Sequence, residues 1–181
     1  MRITIRKATA ADARFIAENV LRALHIEETD EQHIEHLAGI SSREDTLYSW
    51  RNATIALCDG VPAGLMVAYD GARYRRMRDI TFPMIRIYVG DDYHSMDDEA
   101  CAGEFYLDSL AVMPEFQGRG IASALIQEMF RLQKEAGIPL ATIAVDPEND
   151  TAYRLYLKNG FSKNGLITVF GTTYDRLERK A

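Results

Sequence analysis

Residues 104–145 read "EFYLDSLAVMPEFQGRGIASALIQEMFRLQKEAGIPLATIAV", and their pattern decides the fold of this chain. The stretch predicts a strand over residues 104–112 and a helix over residues 118–136, in which apolar residues recur at helical spacing. Residues 140–145 form a continuous apolar run, which is typical of a buried parallel strand. A strand, a helix and a second strand in this order predict a right-handed crossover between two parallel strands.

The rest of the chain supplies further helices and further strands, mostly as hairpins. Apolar and polar residues alternate over residues 2–7, and Asp59-Gly60 is a strong hairpin signal. The remaining predicted elements are strands over 53–59, 61–69, 161–170 and 172–178, and helices that follow Thr9 or Asp12 and that cover about 28–38, about 72–82 and 150–159. The whole predicts an α/β (α+β) fold of one domain, residues 1–181, with a mixed, twisted sheet of about six or seven strands and helices on both faces.

Residues 71–102 are the least regular part of the sequence. They hold a cluster of arginines, Pro83 in mid-run and an acidic tract. We expect a helix over about 72–82 and extended or irregular backbone after it. Because the segment is too long for a plain hairpin connection, we interpret it as a variable insertion over the sheet.

Composition excludes several classes of protein. The chain has 181 residues and a formal net charge of −6, which argues against nucleic acid as the main partner because phosphate binding needs a basic face. Two cysteines, Cys58 and Cys101, cannot form the disulfide framework of a small secreted protein, and we expect each to be a small buried apolar residue. The opening, MRITIRKATAAD, has no apolar signal-peptide core, and no run is long enough to cross a membrane. We therefore expect a cytoplasmic protein with no membrane partner.

The turn between the first strand and the helix of the 104–145 unit is a candidate anion site. A helix N-terminus has unpaired N–H groups and partial positive charge, and both favour phosphate. Gly118 and Gly120 let the backbone approach a ligand, and Arg119 adds charge. Gln117 can brace the loop or bind a phosphate oxygen. The same glycines also fit a plain loop before a core helix, so both interpretations stay open on the glycines alone.

Three phosphate motifs compete for this turn. A Walker loop is excluded, because no Lys follows the glycines. A dinucleotide motif fits poorly, because five residues, 113–117, separate the predicted strand from Gly118, and Ser123 stands where that motif has Gly or Ala. Asp146 imitates its ribose-binding acid, so this alternative is weakened rather than removed. The third pattern, Q/R-x-x-G-x-G/A, is matched in full by residues 117–122, "QGRGIA".

Together with "LAVMPEFQGRGIASALI", this pattern resembles the GNAT superfamily of acyl-CoA-dependent N-acyltransferases. Two further stretches share the resemblance: "ENDTAYRLYLKNGF", residues 148–161, and the opening "IRKATAADARFI", residues 5–16. Residues 71–102 depart from the family pattern. The three motifs stand in the family's order, which makes the resemblance specific.

The resemblance implies a site for acetyl-CoA as the acyl donor. In the family, the strand before the turn splays from its parallel neighbour and holds the pantetheine in the gap. The backbone groups implied in this role belong to Leu110, Ala111 and Val112, and Asn149 matches a residue that contacts the pantetheine arm, although it also suits a helix N-cap. The amides implied to hold the pyrophosphate are those of Gly118, Arg119, Gly120, Ile121, Ala122 and Ser123.

The resemblance also implies the catalytic groups. Tyr156 matches the tyrosine that serves as general acid toward the leaving thiolate, although a packed core tyrosine is the alternative. Asp108 stands where some members carry a catalytic carboxylate, so it is a candidate base or substrate ligand; a structural hydrogen bond and a water chain are the alternatives. His94 is a weaker candidate for the base.

The acids at 91, 92 and 97–99 fit a solvated mobile loop better than a cation site, and no His or Cys spacing suggests a metal.

We therefore expect an N-acetyltransferase that moves an acetyl group from acetyl-CoA to a primary amine by direct attack in a ternary complex. A CoA-binding regulatory domain without turnover and a transferase of longer acyl groups are the alternatives. The acceptor is a small-molecule or peptide amine that the sequence does not name, and residues 24–50 and 71–102 are expected to bind it. A homodimer is among the expected assemblies.

Overall fold

The computed structural model describes residues 1–24, 26, 30–89 and 96–181, with the side chains at positions 88 and 89 left out. The described residues contain seven strands and five helices. The strands are β1 Ile3–Lys7, β2 Ala53–Cys58, β3 Val61–Asp70, β4 Glu104–Val112, β5 Leu140–Val145, β6 Ser162–Val169 and β7 Thr172–Lys180. The helices are α1 Ala13–Ala23, α2 Glu31–Ser41, α3 Tyr74–Val89, α4 Ile121–Glu135 and α5 Asp150–Lys158.

The seven strands form a mixed sheet in the order β1-β2-β3-β4-β5-β7-β6. The expected parallel pair is present: β4 and β5 pair in parallel from Glu104 with Leu140 to Tyr106 with Thr142. The other recorded pairings, β1 with β2, β2 with β3, β5 with β7 and β6 with β7, are antiparallel. The predicted fold class is confirmed.

The chain folds as two compact units, and the first comprises residues 1–68 and 109–128. Its β2–β3 hairpin turns at Asp59 and Gly60, whose φ angles of 50° and 88° suit the predicted Asp-Gly turn. Helix α1 buries Ile16 and Val20 completely, as the helical spacing of its apolar residues predicts. The unit also carries the end of β4 and the first half of α4.

The second unit comprises residues 69–108 and 129–181. Strand β5 pairs with β7 along its whole length, from Leu140 with Lys180 to Val145 with Asp175. The unit adds α3, the segment 96–103, α5 and the β6–β7 hairpin. Its buried residues include a group of tyrosines, Tyr69, Tyr74, Tyr106 and Tyr156.

The expected end of the third helix at about residue 82 is wrong, because α3 continues through Pro83. Proline inside a helix removes one backbone hydrogen bond and is costly. Here Pro83 faces outward, whereas Met77, Phe82 and Ile85 are buried. Burial of this apolar stripe on both sides of the proline therefore stabilises the continued helix.

The second helix begins later than expected. The predicted range was about 28–38, whereas α2 covers Glu31–Ser41 because Asp30 caps it: the Asp30 carboxylate accepts a 2.9 Å bond from the His33 amide. No helix among the described residues is long and apolar enough to span a bilayer.

Candidate active site

The glycine turn lies in the first unit, between the end of β4 and the start of α4. After Val112, a single turn of 3-10 helix covers Pro114–Phe116. Gly118 and Gly120 then adopt φ angles of 72° and 83°, which side chains disfavour, and helix α4 starts only at Ile121 rather than at 118. The two glycines therefore allow the left-handed backbone of the turn, and regular helix begins directly after Gly120.

Consecutive amides in this turn point to an anion site. The first backbone hydrogen bond of the helix runs from the Ala124 amide to the Gly120 carbonyl, at 3.0 Å. Within the described part of the chain, none of the amides from Gly118 to Ser123 has a hydrogen-bond acceptor. Residues 118–120 are exposed, and two positive φ values separated by a negative one are typical of backbone nests that bind anions. These six amides are the set that the family resemblance implies for a pyrophosphate.

The side chains of the turn brace it and add charge. The Gln117 side-chain amide donates a 3.3 Å bond to the Val112 carbonyl, so it ties the turn to the end of β4. The Arg119 guanidinium lies over the ring of Phe116, 5.5 Å from its centroid, and stays exposed beside the free amides. Bracing is thus what the structure shows for Gln117, and its contact with a phosphate stays a prediction.

The end of β4 precedes the turn directly. Ala111 is buried, whereas Leu110 and Val112 are half-buried. Gly64 of β3 allows close packing here: a Cβ atom at that glycine would lie 2.9 Å from Ile121 and 3.0 Å from the Ala111 carbonyl oxygen. The implied pantetheine residues therefore adjoin the turn in the chain and in the fold of the first unit, although their role stays a prediction.

Asn149 and Tyr156 lie in the second unit, on α5. The Asn149 side chain caps this helix by accepting a 3.0 Å bond from the Ala152 amide, so the N-cap interpretation is correct, and a cofactor contact stays a prediction. Tyr156 follows seven residues later, which is two helical turns, so both residues lie on the same side of α5.

Tyr156 is a buried tyrosine with an unpaired hydroxyl. Its ring packs edge-on against Phe161, and within the described residues its hydroxyl makes no hydrogen bond. Burial raises the pKa of Tyr156 well above its ordinary value, so the phenol keeps its proton at neutral pH. The phenol therefore carries a proton at neutral pH, which is a necessary condition for the predicted role as general acid.

Tyr153, one turn earlier on α5, has a structural partner. Its hydroxyl donates a 3.0 Å bond to Asp175, which also pairs with Lys163 at 2.6 Å. The ion pair with Lys163 holds the pKa of Asp175 below its usual range. Tyr153 is therefore anchored to β7, and it serves as a matched control for Tyr156.

Asp108 lies on β4 in the second unit and is half-buried. Its carboxylate accepts a 2.7 Å hydrogen bond from the hydroxyl of Tyr69. The phenol is the donor in this contact, so the carboxyl oxygen of Asp108 is the acceptor. Both predicted roles of Asp108, structural and catalytic, remain compatible with this contact.

The interpretation of residues 98 and 99 as part of a solvated mobile loop is wrong, whereas Asp97 is exposed as that interpretation expects. Asp98 pairs with Arg78 and Arg75 of α3, each at 2.6 Å, and the Glu99 carboxylate accepts a 2.9 Å bond from Tyr106. From the sequence, Glu99 was named only as one acid of this tract, and the Tyr and Arg residues of 74–78 were the signal that could have indicated partners for the acids. The predictions for Asp91, Asp92 and His94 fall outside the described residues.

The described ranges include both cysteines of the chain, Cys58 and Cys101. No group of three or more His, Cys, Asp or Glu side chains there is arranged to hold a metal ion. Cys58 is buried, as expected, whereas Cys101 is exposed, so the expectation that both are buried is wrong. Cys101 follows the buried Ala100, and a turn at residues 102–103 separates it from β4.

Comparison with known proteins identifies the family. A family model described as the acetyltransferase (GNAT) family matches residues 21–161. The chain belongs to the GNAT acetyltransferase family. A mycothiol acetyltransferase from Nocardiopsis dassonvillei is 37% identical over 71 residues, which cover 39% of this chain and 21% of that protein. The chain thus spans only about a fifth of this relative's length.

Solved structures agree with membership of the GNAT family. The crystal structure of an acetyltransferase aligns with a TM-score of 0.78 at 26% identity, covering 98% of both chains. The PaiA N-acetyltransferase of Thermoplasma acidophilum, solved in complex with coenzyme A, aligns with a TM-score of 0.64 at 19% identity over 100% of both chains, a likeness of fold alone. The resemblance drawn from the sequence is therefore confirmed at the level of family and fold.

Proposed function

We propose that this GNAT protein transfers an acetyl group from acetyl-CoA to a primary amine by direct attack in a ternary complex. The observation that carries the proposal is the run of amides from Gly118 to Ser123, which has no acceptor within the described residues. Unpaired donors at a helix start fit a pyrophosphate, because they supply hydrogen bonds and partial positive charge together. The residues present thus fit CoA.

Each group of the chain has a defined task in this proposal. The turn amides bind the pyrophosphate, Arg119 adds charge beside it, and Asn149 contacts the pantetheine arm. Backbone groups of Leu110, Ala111 and Val112 orient the thioester end. Acetyl-CoA supplies the activated acetyl group.

Two side chains handle protons. The amine acceptor must lose a proton before it can attack, and Asp108 is the proposed acceptor of that proton. Tyr156 holds a proton on its phenol oxygen at neutral pH, because burial raises its pKa, and it is the proposed donor toward the leaving thiolate. The two tasks need one group that accepts a proton and one neutral group that donates one, and burial keeps the phenol of Tyr156 neutral by raising its pKa.

The test is a panel of primary amines with acetyl-CoA, in which free thiol and acetylated product are both measured. The panel holds a polyamine, an aminoglycoside, free amino acids and a peptide with a free N-terminus and a lysine. We expect thiol release that depends on one amine class and matches product formation. Tight CoA binding without thiol release from any amine would instead indicate a regulatory domain, and stabilisation by NAD but not by acetyl-CoA would contradict the proposal.

A further inference from the structure

Two carboxyl groups and three tyrosines form a hydrogen-bonded cluster in the second unit. Tyr69 donates to Asp108 at 2.7 Å, and Tyr106 and Tyr74 donate to the two oxygens of Glu99 at 2.9 and 3.3 Å. The rings of Tyr69 and Tyr106 link the two halves, with centroids 5.9 Å apart. All three phenols are donors here, so each carboxyl group is held as an acceptor.

Within the described part of the chain, Glu99 has no ion-pair partner. The guanidinium of Arg176 contacts the Glu99 backbone oxygen at 3.1 Å, but its ion pair is with Glu104, at 2.6 Å. The arginines of α3 pair with Asp98 instead. Among the described residues, the titratable and charged groups that face Glu99 from the neighbouring elements are Tyr69, Tyr74, Tyr106, Asp108, Tyr174 and Arg176.

The segment that carries Glu99 is fixed at several points. Asp98 forms ion pairs with Arg75 and Arg78. The Asp97 carboxylate accepts a 2.8 Å bond from the Thr168 amide of β6, and the Asp97 amide donates a 3.0 Å bond to the Thr168 carbonyl. Gly71 packs so closely that a Cβ atom there would lie 2.2 Å from the Cys101 carbonyl oxygen. The placement of Glu99 beside Tyr106 is therefore built into the fold.

The two carboxyl groups interact electrostatically. Burial of its carboxyl group and the negative charge of Asp108 raise the pKa of Glu99 to about 7, against the opposing effect of the tyrosine hydrogen bonds. Glu99 as a whole residue keeps partial exposure, so the desolvation falls on its enclosed carboxyl group. Groups coupled in this way titrate as a pair, and a proton on one member lowers the affinity of the other for a second proton.

The sheet face that carries the cluster holds one more buried polar group. Thr142 pairs with Tyr106 in the parallel register, so its side chain lies on the same face as Tyr106 and Asp108. Its hydroxyl is buried and has no hydrogen-bond partner among the described residues. An unsatisfied buried hydroxyl is costly, so this face is suited to a polar ligand or a bound water.

We propose that Glu99 and Asp108 accept the proton of the acceptor ammonium as one unit, with Asp108 at the amine and Glu99 as the positioning residue that sets the pair's proton affinity. This rests on the proposed transfer to an amine. The N–H bond of the ammonium breaks, its electron pair stays on nitrogen, and an O–H bond forms on Asp108. The negative charge of Glu99 raises the affinity of Asp108 for this proton. The buried pair can therefore accept a proton near neutral pH, where an isolated exposed aspartate is a weak base.

The first test is the pH dependence of kcat/KM for the amine. We expect the wild-type acidic limb at about pH 7, because the ionised pair is the active form. Glu99→Gln should move this limb down by at least about one pH unit and lower the plateau rate, since one charge is lost. Tyr106→Phe should move the limb up, because it removes a hydrogen bond that favours ionised Glu99. The exposed Glu135→Gln is the control, with an unchanged profile.

The second test is a carboxyl ¹³C NMR titration of the free protein, which needs no acceptor. We expect a step at about pH 7 that is absent in Glu99→Gln and moves down in Asp108→Asn, where the neighbouring charge is gone. A limb unmoved in Glu99→Gln, or titration of both carboxyl groups below about pH 5, would overturn the pairing. A coupled titration in a protein that acetylates no amine would contradict the proposed function and the proton-acceptor role together.

Discussion

The ring of Tyr156 packs edge-on against the ring of Phe161, with centroids 5.8 Å apart and planes inclined by 73°. Tyr156→Phe keeps this contact and removes only a hydroxyl without a partner in the described ranges. We therefore expect the free energy of unfolding to change by less than about 0.5 kcal/mol. We expect kcat to fall by roughly 10²-fold or more, because the proposed general acid is lost.

Tyr153→Phe is the matched control for this substitution. It removes a hydroxyl that is bonded to Asp175, so we expect some loss of stability and a nearly unchanged kcat. Steady-state rates and urea unfolding of both variants separate catalysis from packing. A wild-type kcat for Tyr156→Phe across the pH range would remove Tyr156 from the mechanism.

The glycine turn predicts an effect on CoA affinity. Gly120→Ala places a side chain at a φ of 83°, which costs about 1–2 kcal/mol, and disturbs the amides proposed to bind the pyrophosphate. Gly137→Ala is the control: its φ is 67°, and both positions have open space for a Cβ atom. We expect similar losses of stability but a raised Kd for CoA in Gly120→Ala alone, measured by calorimetry. Equal Kd values for the two variants would argue against the turn as the phosphate site.

Gly71 and Gly39 predict opposite effects of the same substitution. Gly71→Ala would bring Cβ to 2.2 Å from the Cys101 carbonyl oxygen, so we expect destabilisation by about 2 kcal/mol or more. Gly39 lies exposed inside α2 with no atom near its missing Cβ, so Gly39→Ala should stabilise the protein by up to about 1 kcal/mol. Chemical denaturation checks both, and a stable Gly71→Ala variant would contradict the close contact.

The Arg6–Asp12 pair predicts a loss of stability in acid. Asp12 accepts bonds from both Arg6 nitrogens at 2.7 and 2.8 Å and from Thr9, and these contacts lower the pKa of Asp12 to about 2. Its contribution is therefore present above the unfolded-state pKa of about 3.9 and is lost as pH falls through about 2. Asp12→Asn should cost about 1 kcal/mol at neutral pH and flatten this acid dependence.

The exposed pair of Arg14 with Glu18 is the control for Asp12. Glu18→Gln should change stability by less than about 0.5 kcal/mol, because exposed ion pairs contribute little. Urea unfolding at several pH values measures both variants. If the free energy of unfolding of Asp12→Asn falls in acid as steeply as that of the wild type, other carboxylates cause the loss of stability.

The sequence predicted most of the fold because its strongest patterns are local. Residues 104–145 combine a strand, a glycine turn, an amphipathic helix and an apolar strand, and each boundary is marked by Gly or Pro. Pro83 misled the prediction for the same reason. The rule against proline in helices is local, whereas the burial of Phe82 and Ile85 that stabilises α3 depends on tertiary packing.

The candidate site could be predicted only where it consists of backbone or of motif residues. The anion-binding turn follows from local chain geometry, whereas the six amides and Asn149 came from the family resemblance. The position of the Glu99 carboxyl group could not be predicted, because its partners Tyr74 and Tyr106 lie on other elements. A run of acidic residues alone is typical of a solvated loop. Gly64 and Gly71 were missed likewise, since only packing shows that no Cβ atom fits there.

The most direct test of acetyl transfer by ternary-complex attack is a matrix of initial rates in which acetyl-CoA and the best amine of the panel are both varied. We predict double-reciprocal lines that intersect, with one acetylated amine formed for each CoA thiol released. Parallel lines would indicate an acetylated enzyme intermediate and contradict direct attack. Absence of thiol release with every amine would contradict the transfer itself.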